Sequence, residues 1–162
     1  MVNKKAQAWG FDLIVGTSIA LIALVVFFVY AYNYGTRGDE KLDKLNEAGE
    51  LVANSLLSSG YPENWQSGSV TKIGITSENK INNTKLEYFY NISQQDYKRT
   101  QAIFSIRYNY FVNLTDPIII NGNEIPGIGL YPQQSPTENI IKLTRFTIYN
   151  NKPSTLNILI WE

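Results

Sequence analysis

The chain has 162 residues, equal numbers of basic and acidic side chains (14 of each), and neither cysteine nor histidine. Balanced charge without a basic cluster excludes a typical nucleic-acid-binding protein. Without cysteine there are no disulfides and no thiolate nucleophile, and without histidine the commonest general base and metal ligand is missing. We therefore expect no enzyme, no metal site and no cofactor.

An uncharged apolar run without proline occupies residues 13–32. About 20 such residues are enough for a helix to cross a bilayer. The apolar region of a cleavable secretory signal is usually shorter, ~7–15 residues, and this run ends in tyrosines that are typical of a membrane interface. Lys4 and Lys5 precede it, which favours a cytoplasmic N-terminus and a C-terminal domain outside the cell.

A second helical pattern follows at residues 42–56. Its apolar positions and one glycine recur at spacings of three and four, which is the period of an amphipathic helix: Leu42, Leu45, Gly49, Val52 and Leu56. Two arrangements are open. One helix runs from about Trp9 to Ser59, or two helices meet at a hinge between Gly35 and Gly38.

Residues 60–162 predict an α+β head with short helices and an antiparallel sheet. A turn begins at the Tyr-Pro-Glu-Asn-Trp segment, residues 61–65. Alternation predicts strands at 70–76, 105–114, 140–149 and 155–161, the last two forming a hairpin. Helices are predicted at 84–91 and 93–103, with Thr84 and Ser93 as N-caps. Residues 77–83 and the segment from 117 to 127 are predicted to be loops.

Candidate chemistry in the head is sparse. The carboxylates are scattered, and none is spaced for paired acid–base work. An accessory carboxylate enzyme, if there is one, would use the loop region from Asp116 to Glu138. Four tyrosines could stack a ligand, but their helix or strand spacing is more typical of core or subunit contacts: Tyr88, Tyr90, Tyr108 and Tyr110.

Three sequons follow the pattern for N-glycosylation of a domain outside the cell. Their acceptors are Asn82, Asn91 and Asn113. Asn82 is the favoured acceptor because it is expected in a loop, whereas Asn113 ends a predicted strand and Asn91 is intermediate.

The boundary Lys4-Lys5-Ala6-Gln7 places a cleavage-like site before the apolar run, so that cutting there would leave the run on the mature protein. Residues 4 to about 59 resemble type IV pilin-like proteins with their class III signal peptide, especially archaeal pilins and archaellins. The resemblance implies that a prepilin peptidase removes residues 1–6 between Ala6 and Gln7. Two positions depart from the family pattern. Ala6 replaces the usual glycine, and the carboxylate is Asp12, whereas the family usually has glutamate one position earlier, at Phe11.

The resemblance further implies that residues 7–59 span the membrane before assembly and form the core of a filament afterwards. An assembly platform would join the helix to copies of itself through Gln7, Asp12, Leu13, Ile14, Ile19, Leu21, Leu24, Phe27 and Phe28. Cleavage would expose an α-amine at Gln7, and a cation in an apolar core needs a nearby anion. Asp12 can supply it; alternatively, Asp12 lies at the headgroups and caps its own helix.

The function expected from this combination is a structural subunit of a cell-surface filament for adhesion or motility, with N-linked glycans on its head. Three alternatives are open: a minor pilin that primes assembly, a membrane-anchored extracellular binding domain that never polymerises, and the accessory carboxylate enzyme.

Overall fold

The computed structural model describes the backbone of residues 4–134 and 137–162, and the side chains of residues 10–32, 40–133 and 137–162. The fold is α+β as predicted, with a long N-terminal helix followed by a head of helices and antiparallel sheets. The chain divides into two compact units, Met1–Lys41 and Leu42–Glu162. Each unit is described by itself below.

Helix α1 spans Lys4–Leu56, and its backbone is helical through Gly35 and Gly38. The one-helix alternative is therefore the one that the chain adopts. In the first unit, Gly10–Tyr32 contains 23 residues and is long and apolar enough to cross a membrane, with none of its most apolar stretch buried. This confirms the predicted apolar helix and indicates membrane association.

The last turns of α1 form part of the head. Their inward side chains are among the most completely buried in the second unit: Leu45, Ala48, Val52, Ala53 and Leu56. The sequence alone divides the chain between residues 59 and 60, where the helical pattern stops. The compact unit begins at Leu42 because this stripe belongs to its hydrophobic core.

The strand predicted at residues 70–76 is mostly wrong. Only Thr76–Ser77 (β1) is a strand, paired with Lys80–Ile81 (β2) inside the segment predicted to be a loop. The reason lies in the partners of the backbone. Ile75 N–H donates to Leu56 O at 2.8 Å, and Thr76 N–H donates to Ser58 O at 3.2 Å. The end of α1 thus takes the hydrogen bonds that a neighbouring strand would need.

Two helices follow, α2 at Asn83–Gln95 and α3 at Tyr97–Phe104, but the predicted caps are wrong. The Asn82 side chain accepts from Lys85 N–H at 3.1 Å, and the Asp96 side chain accepts from Arg99 N–H at 2.9 Å. Ser93 lies buried inside α2. Because Thr84 and Ser93 also fit the capping pattern, the local sequence does not decide which residue caps each helix. The cap depends on which turn buries the apolar face of the helix.

Among the described residues, a four-stranded antiparallel sheet has the order β6-β3-β8-β7, with β3 at Asn109–Leu114, β6 at Ile128–Gly129, β7 at Ile140–Tyr149 and β8 at Lys152–Trp161. The predicted final hairpin is confirmed. Asn150 and Asn151 both have positive φ, 49° and 61°, which suits a two-residue hairpin turn. The middle segment holds a small hairpin of β4 (Ile118–Ile120) and β5 (Asn123–Ile125), then a 3₁₀ turn at Pro132–Gln134.

A buried lysine ties the end of α1 to the first hairpin. Lys85 Nζ donates to Ser59 O at 2.8 Å and to Thr76 O at 3.1 Å. The side chain is almost fully buried, and carbonyl oxygens near a helix C-terminus are favourable partners for a cation. This contact holds the polypeptide on both sides of residues 60–75.

Candidate functional site

The outer surface of the apolar helix is the first candidate site. The seven apolar residues predicted to make assembly contacts are each more than half exposed: Leu13, Ile14, Ile19, Leu21, Leu24, Phe27 and Phe28. Contiguous apolar surface on this scale is unfavourable in water and marks contact with lipid or with another apolar surface. We therefore expect this segment to contact lipid or another apolar surface and not water.

The threonine and serine hydroxyls within this segment are satisfied by the helix itself. Thr17 Oγ1 donates to Leu13 O at 2.8 Å, and Ser18 Oγ donates to Ile14 O at 2.7 Å. Hydroxyls that bond back to their own helix need no water. Thr17 and Ser18 can thus lie in lipid or in an apolar protein core with their hydroxyls paired.

Asp12 lies inside α1, with its side chain exposed. Because α1 begins at Lys4, well before Asp12, the carboxylate caps neither end of this helix. Both alternatives for Asp12, pairing with an amine at Gln7 and a place at the headgroups capping its own helix, stay predictions. Ala6 and Gln7 also lie within α1, but their side chains fall outside the described ones, so the cleavage site stays a prediction.

The head brings two of the scattered carboxylates together. Asp116 and Glu124 line the same small cavity, of about 140 Å³, beside the β4–β5 hairpin, and Glu138 does not line it. In the part of the chain that the structure describes, no group of three or more histidine, cysteine or acidic residues could hold a metal ion. Glu50 forms an ion pair with Arg145, which joins α1 to β7. No metal-binding arrangement arises from these contacts.

The tyrosines divide into core and half-buried groups. Tyr110 is fully buried, as predicted for a core residue, and its hydroxyl is hydrogen-bonded to the Thr100 hydroxyl. Its backbone N–H donates to the Tyr97 hydroxyl at 2.8 Å, and the two rings stack with centroids 4.9 Å apart. Tyr88, Tyr90 and Tyr108 are half-buried and pack against the core.

Burial also changes the acidity of this pair. It raises the pKa of Tyr110 to about 12, even though the Thr100 hydroxyl lowers it. Burial likewise raises the pKa of Tyr97 well above its usual value. Ser93 is close enough to lower the Tyr110 pKa as well, but Ser93 Oγ has no partner in hydrogen-bond geometry among the described atoms. Both tyrosines are neutral at physiological pH.

The three sequon asparagines occupy different environments. Asn82 lies between β2 and α2, outside regular structure as predicted, but its side chain caps α2 and its Nδ2 lies 3.4 Å from Ser77 Oγ. Asn91 is half-buried within α2. Asn113 is half-buried in β3 opposite Asn157. Use of any sequon stays a prediction, with Asn82 the one at a loop position.

One feature has no counterpart among the predicted sites. A cavity of about 540 Å³ opens between α2 and the loop around β6, and its aromatic lining comes from three parts of the chain: Tyr90, Tyr97, Phe111 and Tyr131. The sequence signals for it are the high tyrosine content and Tyr90, one of the four tyrosines considered for stacking a ligand. Because the four aromatic residues are separated along the chain, the sequence does not show that they line one cavity. We refer to this cavity as the aromatic cleft.

Comparison of the chain with protein-family models, with curated proteins and with solved structures finds no match in any of the three. Three features of the chain bear on its function: the exposed apolar helix, the boundary that precedes it, and the aromatic cleft of the head.

Proposed function

We propose that the protein is a type IV pilin-like subunit of an extracellular filament that serves adhesion or motility. The observation that carries the proposal is the exposed apolar surface of Gly10–Tyr32, charged only at Asp12, which closely follows the sequence Lys4-Lys5-Ala6-Gln7. Before assembly this surface contacts lipid. After removal of residues 1–6, the same surface packs against copies of itself, which replace the lipid.

The position of Asp12 supports contact between subunits. Residues five apart on an α-helix differ by about 140° around the axis and by about 7.5 Å along it. Asp12 therefore lies on a different face of the helix from position 7, and beyond the first turn of a helix that begins at Gln7. The α-amine of a neighbouring subunit is a better partner for this carboxylate than the amine of its own chain. An apolar filament core would otherwise leave both charges unpaired.

The roles of the head, of the processing and assembly proteins and of the glycans follow from this arrangement. The head, with its sheet and two short helices, is displayed on the filament outside the cell. A prepilin peptidase and an assembly platform act on the membrane-bound precursor, and N-linked glycans are added to the head at Asn82 if that sequon is used. A subunit of this kind works by packing, so the proposal requires no catalytic residue and no cofactor.

The test is the N-terminus of the protein on cells. Material sheared from the surface is digested, and its N-terminal peptide is identified by mass spectrometry. We expect Gln7 as the first residue and filaments in the same material by electron microscopy. An intact N-terminus, together with monodisperse particles in detergent, would instead identify the anchored, non-polymerising binding domain.

A pair of variants at the cleavage site provides the control. Ala6→Gly keeps a small residue there, and we expect normal processing. Ala6→Leu places a bulky side chain at the scissile bond, and we expect the leader to be retained and filaments to be lost. An unchanged mature mass for Ala6→Leu would contradict cleavage at this bond.

A further inference from the structure

The aromatic cleft has walls that are fixed in place by the fold. The Tyr97 hydroxyl is held by the backbone of Tyr110, from which it accepts at 2.8 Å and to which it donates at 3.3 Å. On the opposite side, the rings of Phe111 and Tyr131 meet edge to face with centroids 5.2 Å apart. The ring positions are thus set before any ligand arrives.

Two glycines allow the loop around β6, which forms one wall of the cleft, to lie close to the sheet. A Cβ on Gly127 would lie 2.4 Å from the Phe111 ring, and a Cβ on Gly129 would lie 2.4 Å from Tyr110 O. Gly129 also has a φ of 113°, which side-chain-bearing residues rarely adopt. These two positions let the loop lie directly against β3 and leave the cleft as the open space on its α2 side.

The lining of the cleft defines the chemistry of its ligand. None of the described residues that line it is charged, so a charged ligand would lose hydration without gaining a partner. Polar groups are present on accessible lining residues, namely the amide of Gln94 and the hydroxyls of Tyr90 and Tyr131. The Ser93 oxygen is enclosed by protein atoms and is not available to a ligand. The volume falls within the ~300–1,000 Å³ that is typical of small-molecule sites.

We propose that the aromatic cleft binds a neutral saccharide. A pyranose ring has a face of C–H groups, which suits the negative face of an aromatic ring, and a rim of hydroxyls, which suits amide and hydroxyl partners. Proline-rich peptides also use aromatic grooves, but they offer few hydroxyls to the Gln94 amide and to the tyrosine hydroxyls of the lining. The cleft would act as the contact with a glycan surface, and this role in adhesion rests on the proposed filament function.

The experiment measures binding directly on the full chain, purified in a detergent that has no sugar headgroup. Saturation-transfer NMR is recorded with a panel of neutral saccharides: the methyl glycosides of glucose, galactose and mannose, and the disaccharides maltose, cellobiose and lactose. We expect transfer to the ring protons of at least one, with millimolar or tighter affinity. Glucuronate serves as a charged comparison and should bind more weakly.

Three variants locate the site. Tyr131→Ala removes a ring of the cleft that is 40% exposed, and we expect binding to weaken by roughly 10-fold or more. Gln94→Leu keeps the rings but removes the exposed amide, and it should also weaken binding. Phe146→Ser removes an aromatic ring that is 90% exposed and lies on β7, away from the cleft, so binding should not change. Thermal unfolding of each variant confirms that the head is folded.

Absent saccharide binding, or binding that does not depend on the cleft, contradicts the inference. No transfer to any neutral saccharide overturns it, as does equal binding by the wild type and by both cleft variants. Binding of a proline hexapeptide, abolished by Tyr131→Ala and without saccharide binding, would assign the cleft to a peptide partner. Electron microscopy of sheared material tests the filament separately. Filaments without saccharide binding would overturn only this inference, and saccharide binding without filaments would overturn only the proposed function.

Discussion

A methyl carbon of Leu143 lies 2.5 Å from where a Cβ of Gly49 would stand. Helix α1 therefore approaches strand β7 so closely that a side chain at position 49 would have to displace the end of this leucine. Ile141 lies at 3.4 Å from the same point, so two residues of β7 enclose the glycine. The contact explains why a glycine occupies the middle of a helix, where it is normally unfavourable.

Substitution at Gly49 tests this contact. Alanine favours the helix by ~1 kcal/mol, but overpacking at a closed site costs about 1–3 kcal/mol. We expect Gly49→Val to destabilise the head by about 2 kcal/mol and Gly49→Ala by less. In thermal unfolding of the full chain, Leu143→Ala should destabilise the wild type and cost less in the Gly49→Val background, because the two changes share one space. Additive effects would contradict the proposed contact.

The folding of isolated fragments tests which part of α1 belongs to the head. Residues 60–162 lack Leu45, Val52 and Leu56, each of which is fully buried and worth about 1.5–3 kcal/mol. That fragment should show no cooperative thermal unfolding by circular dichroism, whereas Leu42–Glu162 should unfold cooperatively. A cooperative transition in the shorter fragment would show that the α1 stripe is dispensable.

The pKa of Tyr110 predicts how the stability of the head depends on pH. Burial raises the pKa of Tyr110 from 10.0 in the unfolded chain to about 12 in the folded protein. Its contribution to stability is complete below about pH 10 and is lost as the pH rises towards 12, since the unfolded chain releases its proton first. We expect the free energy of unfolding to fall across this range, and to fall less steeply in Tyr110→Phe.

The same variant should cost about 1 kcal/mol at neutral pH, because the hydrogen bond between the Tyr110 and Thr100 hydroxyls is lost while Thr100 keeps its bond to Tyr97 O. Urea unfolding of the full chain at several pH values measures both effects. Tyr61→Phe serves as the control, since Tyr61 is 67% exposed. If Tyr110→Phe had the same pH dependence as the wild type, Tyr110 would not be the group that titrates.

Asp12 provides the test of charge pairing within the filament. Leaving an α-amine unpaired in an apolar core costs about 3–5 kcal/mol. We expect Asp12→Ala to reduce the yield of sheared filaments strongly while the precursor still reaches the membrane fraction. Asp43→Ala, which removes an exposed carboxylate in the second unit, is the matched control. Normal filaments from Asp12→Ala would remove the pairing role from this residue.

The local sequence pattern predicted an element correctly where the contacts of that element lie between neighbours in the chain. The β7–β8 hairpin was predictable because alternating residues and the Asn150-Asn151 turn act between neighbours in the chain. The strand expected at residues 70–76 was not, because the amide of Ile75 bonds to the last residue of α1 and the amides of Thr71 and Lys72 bond to Tyr61 O. The caps of α2 and α3 were missed for a related reason. Several residues could cap each helix locally, and the burial of Leu86 and Phe89 selected the turn.

The sequence by itself determined the apolar helix and the α+β class, because length, hydropathy and periodicity act over neighbouring residues. It also contains the boundary at Ala6 and Gln7 from which the filament is proposed. Only the tertiary structure decided that the last turns of α1 belong to the head and that aromatic residues from three separate parts of the chain form one cleft. Both depend on contacts between residues far apart in the chain, which are set by the packing of the whole head.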